Sequence, residues 1–251
     1  MPKLLEGKTA LVMGIANKWS IAYAIAQAFS REGASLILTY LDEHQKEAID
    51  TLGKDLNVAQ ILPCDVTKDD QLAALTADLP ALDAAVHCLA FANREDLTKP
   101  FIETPRAGYL LAQEVSAYSL VAVARAVTPK MPNGGALITL TYLGSTRVLP
   151  NYNVMGVAKA ALEATMRYLA SDLGPQNIRV NAISAGAVKT TSARGIKDFS
   201  SMLSSVAAKA PLRRNTDPAE VADTAVFLAS DLARGVTGNI LFVDAGIQVM
   251  A

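Results

Sequence analysis

The chain is poor in the residues that most often carry covalent or metal chemistry. Its 251 residues include only two cysteines, Cys64 and Cys88, and two histidines, His44 and His87. Both cysteines fall in apolar segments, and two isolated thiols without a secretory signal read as reduced core residues, not as a disulfide framework. No cluster of side chains has metal-ligand spacing, so no metal is expected. The G-x-S-x-G elbow of a serine hydrolase is absent as well. His44 falls at a helix start and His87 inside a strand, and neither receives a role. Charge of one sign is also lacking: 23 Lys and Arg stand against 24 Asp and Glu, a net charge of −1. That balance gives no global case for nucleic acid or an anionic membrane as partner. The opening MPKLLEGKTALVMG has no signal-peptide layout, and no apolar run approaches the ~20 residues of a membrane span. A cytoplasmic protein is expected. No repeat, low-complexity tract or linker divides the chain, so a single domain over residues 1–251 is expected.

What is present is a regular alternation of apolar runs and helical periodicity. Strands are predicted at 9–14, 35–40, 59–62, 82–89, 136–142, 178–184 and 239–243, and helices at 21–29, 43–56, 69–78, 106–128, 152–173 and 218–229. Most of the strands are continuous apolar runs, as expected when helices cover both sheet faces. With right-handed crossovers the order gives an α/β fold, a Rossmann-type, doubly wound, seven-stranded parallel sheet. Ligands in such sheets lie outside the carboxyl ends of the strands. Those ends carry Gly14, Tyr40, Asp65, Leu89, Tyr142 and Ser184.

The stretch TYLGSTRVLPNYNVMGVAK, residues 141–159, carries the densest chemistry. Tyr152 and Lys159 are seven apart; at about 100° per residue that is ~20° short of two helical turns, so the two side chains share a face. A phenol can donate a proton or a strong hydrogen bond, and a nearby ammonium lowers its pKa. Tyr142 stands where the strand before it ends. Together they suggest an acid site beside a developing oxyanion. An ordinary amphipathic helix with a core tyrosine and a surface lysine has the same spacing.

The first strand-to-helix turn, GIANKWSIA, contains no G-x-G-x-x-G. Gly14 still permits a tight turn, Ser20 offers a hydroxyl and an N-cap, and the amides of Ser20 and Ile21 open a helix N-terminus that attracts pyrophosphate. Asp65 and Val66 follow the third strand; the aspartate can accept from an adenine amine or serve as a turn residue. Asp42, after the second strand, can bond a ribose 2′-hydroxyl or cap the next helix. No Arg or Lys occupies Tyr40 to Gln45, which leans toward NADH, with NADPH less favoured.

At these residues the chain resembles a short-chain dehydrogenase/reductase, and within that superfamily the bacterial enoyl-[acyl-carrier-protein] reductases. The resemblance spans essentially the whole chain; its most telling pieces are GIANKWSIAYAIA, HCLAFANR, TLTYLGSTRVLPNYNVMGVAKAALEA and IRVNAISAGAVKTTSARGIKDF. Where the superfamily pattern sets its serine and tyrosine, this chain has Tyr142 and Met155; its second tyrosine, Tyr152, lies three residues earlier, about 4.5 Å along a helix. Conjugate reduction builds negative charge on the thioester oxygen and not on the carbon that receives hydride, and a displaced phenol suits that geometry.

The resemblance implies Tyr142, Tyr152 and Lys159 as catalytic residues. It implies Gly14, Ser20, Ile21, Asp65, Val66, Leu89, Lys159, Val188, Lys189, Thr190, Thr191 and Ser192 around NADH. Ala92, Tyr142, Tyr152, Met155, Ile196, Phe199 and Met202 would meet an enoyl thioester of acyl carrier protein. It implies a homotetramer, with the helices at 106–128 and 152–173 as candidate interfaces. Residues 190–214 read as a substrate lid or as a core-packed helix. Their cations Arg194, Lys197, Lys209, Arg213 and Arg214 read as a docking patch for the acidic carrier protein or as a solvated face. Leu41, Ala90 and Ala187 depart from the family pattern. A carbonyl reductase of the same fold, disfavoured by Met155, and a nucleotide-sensing protein without chemistry are the competing readings.

Overall fold

The computed structural model describes residues 3–188 and 199–250. Seven strands form one sheet: β1 Thr9–Met13, β2 Ser35–Tyr40, β3 Val58–Pro63, β4 Ala84–His87, β5 Gly135–Thr141, β6 Ile178–Ala185 and β7 Ile240–Val243. The order is β3-β2-β1-β4-β5-β6-β7 and every pairing is parallel. The order reverses between β1 and β4, where Met13 pairs with His87. That is the switch point at which such sheets open a crevice.

Most of the buried strand residues are apolar because each face of the sheet has its own core. On β1, Ala10 and Val12 face one cluster and Leu11 and Met13 the other; on β6, Ile183 and Ala185 oppose Val180 and Ala182. The first cluster is closed by α1 (Ile21–Arg31) and by α9 (Pro218–Ala229). The second is closed by α3 (Asp69–Asp78), α6 (Ser119–Val127) and α7 (Asn153–Leu173). Each buried Leu, Ile or Val contributes roughly 1.5–3 kcal/mol, which keeps the strand ends in fixed register.

Several boundaries differ from the sequence expectation for physical reasons. The helix expected over 43–56 is α2, Glu43–Leu52, because Gly53 begins a 3-10 turn. A short helix, α4 (Arg94–Thr98), was not expected; five mostly polar residues carry no periodicity. The helix expected over 106–128 is two α-helices, α5 (Arg106–Gln113) and α6, joined by a π-helical turn at Glu114–Tyr118. Such turns widen a helix locally and recur at functional sites. Here the turn carries buried Ser116, whose hydroxyl bridges the backbone of Phe91, accepting from its N–H at 2.9 Å. The stretch Arg106–Lys130 is also long and apolar enough to cross a bilayer, against the expectation that none is, and just over half of its apolar window is buried. A further helix among the described residues, α8, spans Phe199–Lys209.

His87, given no role in the sequence reading, ties three of these elements together. Its ring lies 3.0 Å from Thr139 Oγ1 on β5 and 2.8 Å from Ser119 Oγ on α6. Burial, then the charge of Lys159, holds the imidazole down to about 3. The unfolded chain takes up a proton near pH ~6.5 that the folded protein refuses, so stability is lost as pH falls from ~6.5 toward about 3. Urea titrations should show the native chain losing ~1.6 kcal/mol more than His87→Asn between pH 6.5 and 5, the slope approaching ~1.4 kcal/mol per unit at the lower end. Equal losses would show that the ring is protonated in the fold.

Candidate active site

The crevice begins where β1 and β4 end. Gly14 has φ +94°, and a Cβ there would sit 2.2 Å from the carbonyl oxygen of Cys88. Only glycine lets the two strand exits approach so closely. The turn that follows braces itself. Ser20 stands at the N-cap position of α1, but its hydroxyl donates to the Asn17 carbonyl at 2.6 Å and makes no cap. Its amide also donates to Asn17, at 3.1 Å. The expected Ser20 cap and free Ser20 amide are therefore corrected. The opening turn of α1, beginning at Ile21, has no capping side chain, which leaves its dipole to an anion.

After β2 and β3, two aspartates serve local structure. Asp42 Oδ1 caps α2 by accepting from the Gln45 amide at 2.8 Å. Asp65 Oδ1 accepts from the amide and hydroxyl of Thr67, at 2.9 and 2.8 Å. Each aspartate has one oxygen committed to local structure. Val66 is buried, and Leu89 is partly buried against the second core. Leu41 is largely exposed. Val188, at the end of the described segment after β6, is buried. Lys189, Thr190, Thr191, Ser192 and Ile196 lie outside the described residues.

The chemistry gathers at the ends of β5 and α7. Tyr152 precedes α7 and does not lie on it: its backbone is at φ −112°, ψ −27°, flanked by left-handed Asn151 and Asn153. The two-turn arithmetic from Tyr152 to Lys159 is therefore corrected. What places Tyr152 is a pair of glycines. A Cβ on Gly144 would lie 2.4 Å from the Tyr152 ring, and one on Gly156 would lie 2.7 Å from the Gly144 carbonyl oxygen. Gly156 lets the 3-10 turn Leu143–Ser145 rest on the helix, and Gly144 lets the phenol rest on the turn. The ring then meets Tyr142 edge to face, with centroids 5.2 Å apart and planes at 75°.

Lys159 is not the surface lysine of the simple amphipathic helix. It is buried, and its Nζ donates to the Leu140 carbonyl at 2.7 Å. Burial lowers its pKa to about 8, with Cys88 and Glu163 acting in the other direction. Tyr152 is pushed well above the phenol range by burial, with Tyr142 and Glu163 adding to it. The expectation that a neighbouring ammonium lowers that phenol is thus corrected: burial and the neighbours Tyr142 and Glu163 all raise it, and Lys159 is not among the groups that move it. Tyr142 is raised too, by burial and then by Asp244. Both phenols stay protonated and can donate.

Of the expected substrate residues, Ala92 lines a cavity of about 700 Å³ with Phe91, Asn93 and Arg94. Tyr152 lines another of about 470 Å³ with Phe101, Gly144 and Leu149. Met155 is buried with its sulfur 3.7 Å from Ser116 Oγ. Phe199 and Met202 lie on the backbone of α8. Two of the expected docking cations are engaged: Arg214 grips Glu220 at 2.7 and 2.5 Å, and Arg213 donates to the Ala208 carbonyl. The sequence reading missed Thr141, Glu163, Gly144, Gly156 and Ser116. Glu163 had a signal, since it lies four residues after Lys159, on the same helical face.

Two phenols and a desolvated ammonium at the carboxyl edge of a doubly wound sheet define an oxidoreductase of the short-chain dehydrogenase/reductase class. Comparison with known proteins narrows that class. The family model described as enoyl-(acyl carrier protein) reductase matches residues 14–248. The chain is 50% identical to the enoyl-[acyl-carrier-protein] reductase [NADH] of Bacillus subtilis (strain 168), covering 98% of each. It is 46% identical to the enoyl-[acyl-carrier-protein] reductase [NADPH] of Staphylococcus aureus (strain MRSA252), covering 98% of each. It superposes with TM-score 0.94 and 52% identity on a crystal structure of the Bacillus cereus enzyme with NADP+ and indole naphthyridinone, covering 99% of both chains. The chain belongs to the enoyl-[acyl-carrier-protein] reductase family.

Gly144→Ala should displace the Tyr152 ring and lower turnover of an enoyl thioester by about tenfold or more, since a shift of ~1 Å at a reacting group is costly. Gly174→Ala meets nothing within 4 Å and serves as the control. Equal turnover in the two variants would show that the ring has room to spare.

Proposed function

We infer that the chain reduces the trans-2 double bond of enoyl-acyl-carrier-protein thioesters by hydride transfer from NADH, the last reductive step of fatty-acid elongation. The observation that carries this is the Tyr142–Tyr152 ring pair at the end of the strand whose Leu140 carbonyl, two residues before Tyr142, holds buried Lys159. The donor set fits a dinucleotide. The opening turn of α1, without a capping side chain, would face the pyrophosphate, and Gly14 keeps that turn tight. Lys159 uses one of its three N–H groups on Leu140, leaving two for the nicotinamide ribose hydroxyls. Asp65, Val66 and Leu89 would border the adenine and the ring, with Val188, Lys189, Thr190, Thr191 and Ser192 closing over it. When bound, NADH supplies the hydride that adds to Cβ of the substrate.

The rest is the work of side chains. As the Cα–Cβ double bond opens, its electron pair moves toward the thioester oxygen. The Tyr152 phenol, kept protonated by burial, donates to that oxygen. Water then supplies the proton that adds at Cα, and the saturated thioester is complete. Tyr142 shapes the pocket from the other side of the ring pair. Lys159, with its pKa near 8, is still mostly cationic at neutral pH.

NADH is favoured over NADPH because no cation occupies Tyr40 to Gln45 and nearby Lys46 is paired with Asp50 at 2.8 Å. Exposed Tyr109, Leu110 and Tyr118 on the α5–α6 stretch, and Tyr168 on α7, suit burial between copies in a homotetramer. On α8 the partly buried Leu203 and Val206 suit a substrate lid. With Arg213 and Arg214 engaged, Lys209 is the cation left on the described part of that segment for an acidic carrier protein.

Oxidation of NADH, followed by its near-ultraviolet absorbance, tests this reading. Turnover is expected with a crotonyl thioester, and Tyr152→Phe should lower its kcat by at least about tenfold without changing NADH affinity. Turnover only with an acetoacetyl thioester would make the protein a carbonyl reductase. Tight NADH binding with neither substrate turned over would make it a binding protein.

A further inference from the structure

Helix α7 holds the end of β5 at two successive residues. Lys159 donates to the Leu140 carbonyl at 2.7 Å. Four residues on, Glu163 Oε1 accepts from the Thr141 hydroxyl at 2.6 Å. Residues four apart share one helical face, so one face of α7 grips two consecutive strand residues, and the next residue in the chain is Tyr142. Glu163 is itself buried, 6% exposed. A carboxylate in such a place costs stability unless it is hydrogen-bonded and faces positive charge.

Lys159 and Glu163 reach consecutive residues of β5 from one face of α7, which sets the carboxylate near the ammonium as its counter-charge. From the exit of β4, Lys159 is faced by His87 and Cys88; from α7, by Glu163. His87 is neutral over the working range, held down to about 3 by burial and Lys159. Cys88 is a neutral thiol, pushed up to about 12 by burial. Glu163 also faces Thr141 and Tyr152, and Asp244 after β7 faces Tyr142. Of the groups named, only Glu163 places negative charge toward the ammonium near neutral pH.

We propose that Glu163 is a positioning residue for this reaction: through Thr141 it fixes the strand exit that carries Tyr142, and through its charge it keeps Lys159 an ammonium. This rests on the reading of Lys159 and Tyr142 given above, and two substitutions separate its parts. Glu163→Gln keeps an acceptor for Thr141 but removes the charge. Thr141→Val removes the hydroxyl and leaves the charge.

NADH affinity is measured against pH by fluorescence, with no substrate present. In the native chain the affinity should fall as pH rises through about 8, where Lys159 loses its proton. In Glu163→Gln that fall should move down by about one pH unit. Thr141→Val should leave the pH profile in place, lower kcat on crotonyl thioester about fivefold or more, and be rescued by Thr141→Ser. Coincident pH profiles for the native chain and Glu163→Gln would overturn the proposal, as would native kcat in Thr141→Val. If Glu163→Gln does not fold, the Thr141 pair alone decides. Should the native chain turn over no enoyl thioester, the functional reading fails; the NADH profiles still report whether Glu163 governs Lys159.

Discussion

A single ammonium without water around it sets the terms for the site. Lys159 sits on a helix packed against the sheet, and its charge is met by the Leu140 carbonyl at 2.7 Å. Isolated, such a charge would cost several kcal/mol. It is tolerated because that carbonyl accepts from it, and Glu163 lies one turn further along the helix. The same desolvation acts with opposite consequences on the two kinds of group. It brings the lysine down toward neutrality and drives the phenols up, away from ionisation. A cation that holds and a phenol that donates are thus produced by one environment.

Backbone closeness does the rest of the positioning. Gly14 lets β1 and β4 exit against each other, and Gly144 and Gly156 let a turn, a ring and a helix stack with no Cβ between them. The two-sided core makes this possible. With apolar side chains buried on both faces, the strands cannot slide, since a one-residue slip in register exchanges every side chain between two differently shaped clusters. The crevice is therefore a rigid feature of the sheet, and the loops that border it inherit its geometry.

Sequence periodicity reached the fold because continuous apolar runs and amphipathic helices report burial directly. Asp69–Asp78 and Pro218–Ala229 match their expected bounds, and every strand appears within two residues of its expected place. Tyr142, Tyr152 and Lys159 were legible as a group from their spacing and family pattern. Their mode of assembly was not. Spacing assumes a regular helix, and Tyr152 stands outside one, between two left-handed asparagines. Asp42 and Asp65 each allowed either a ligand or a local turn, and one oxygen of each is turned onto nearby backbone, as is the Ser20 hydroxyl. Short polar side chains choose between a ligand and a local turn by geometry that composition does not encode. Glu163 and Thr141 were missed for a related reason, since a buried polar pair spans two elements 22 residues apart.

The claim beneath all of this is that Lys159 lives in a dry place. Carbon-13 labelling of the lysine side chains, with Lys159→Met to assign the signal, gives its titration in the free protein by NMR. The account predicts a midpoint near 8. A midpoint at the ordinary lysine value of ~10.4 would show a hydrated ammonium and contradict it.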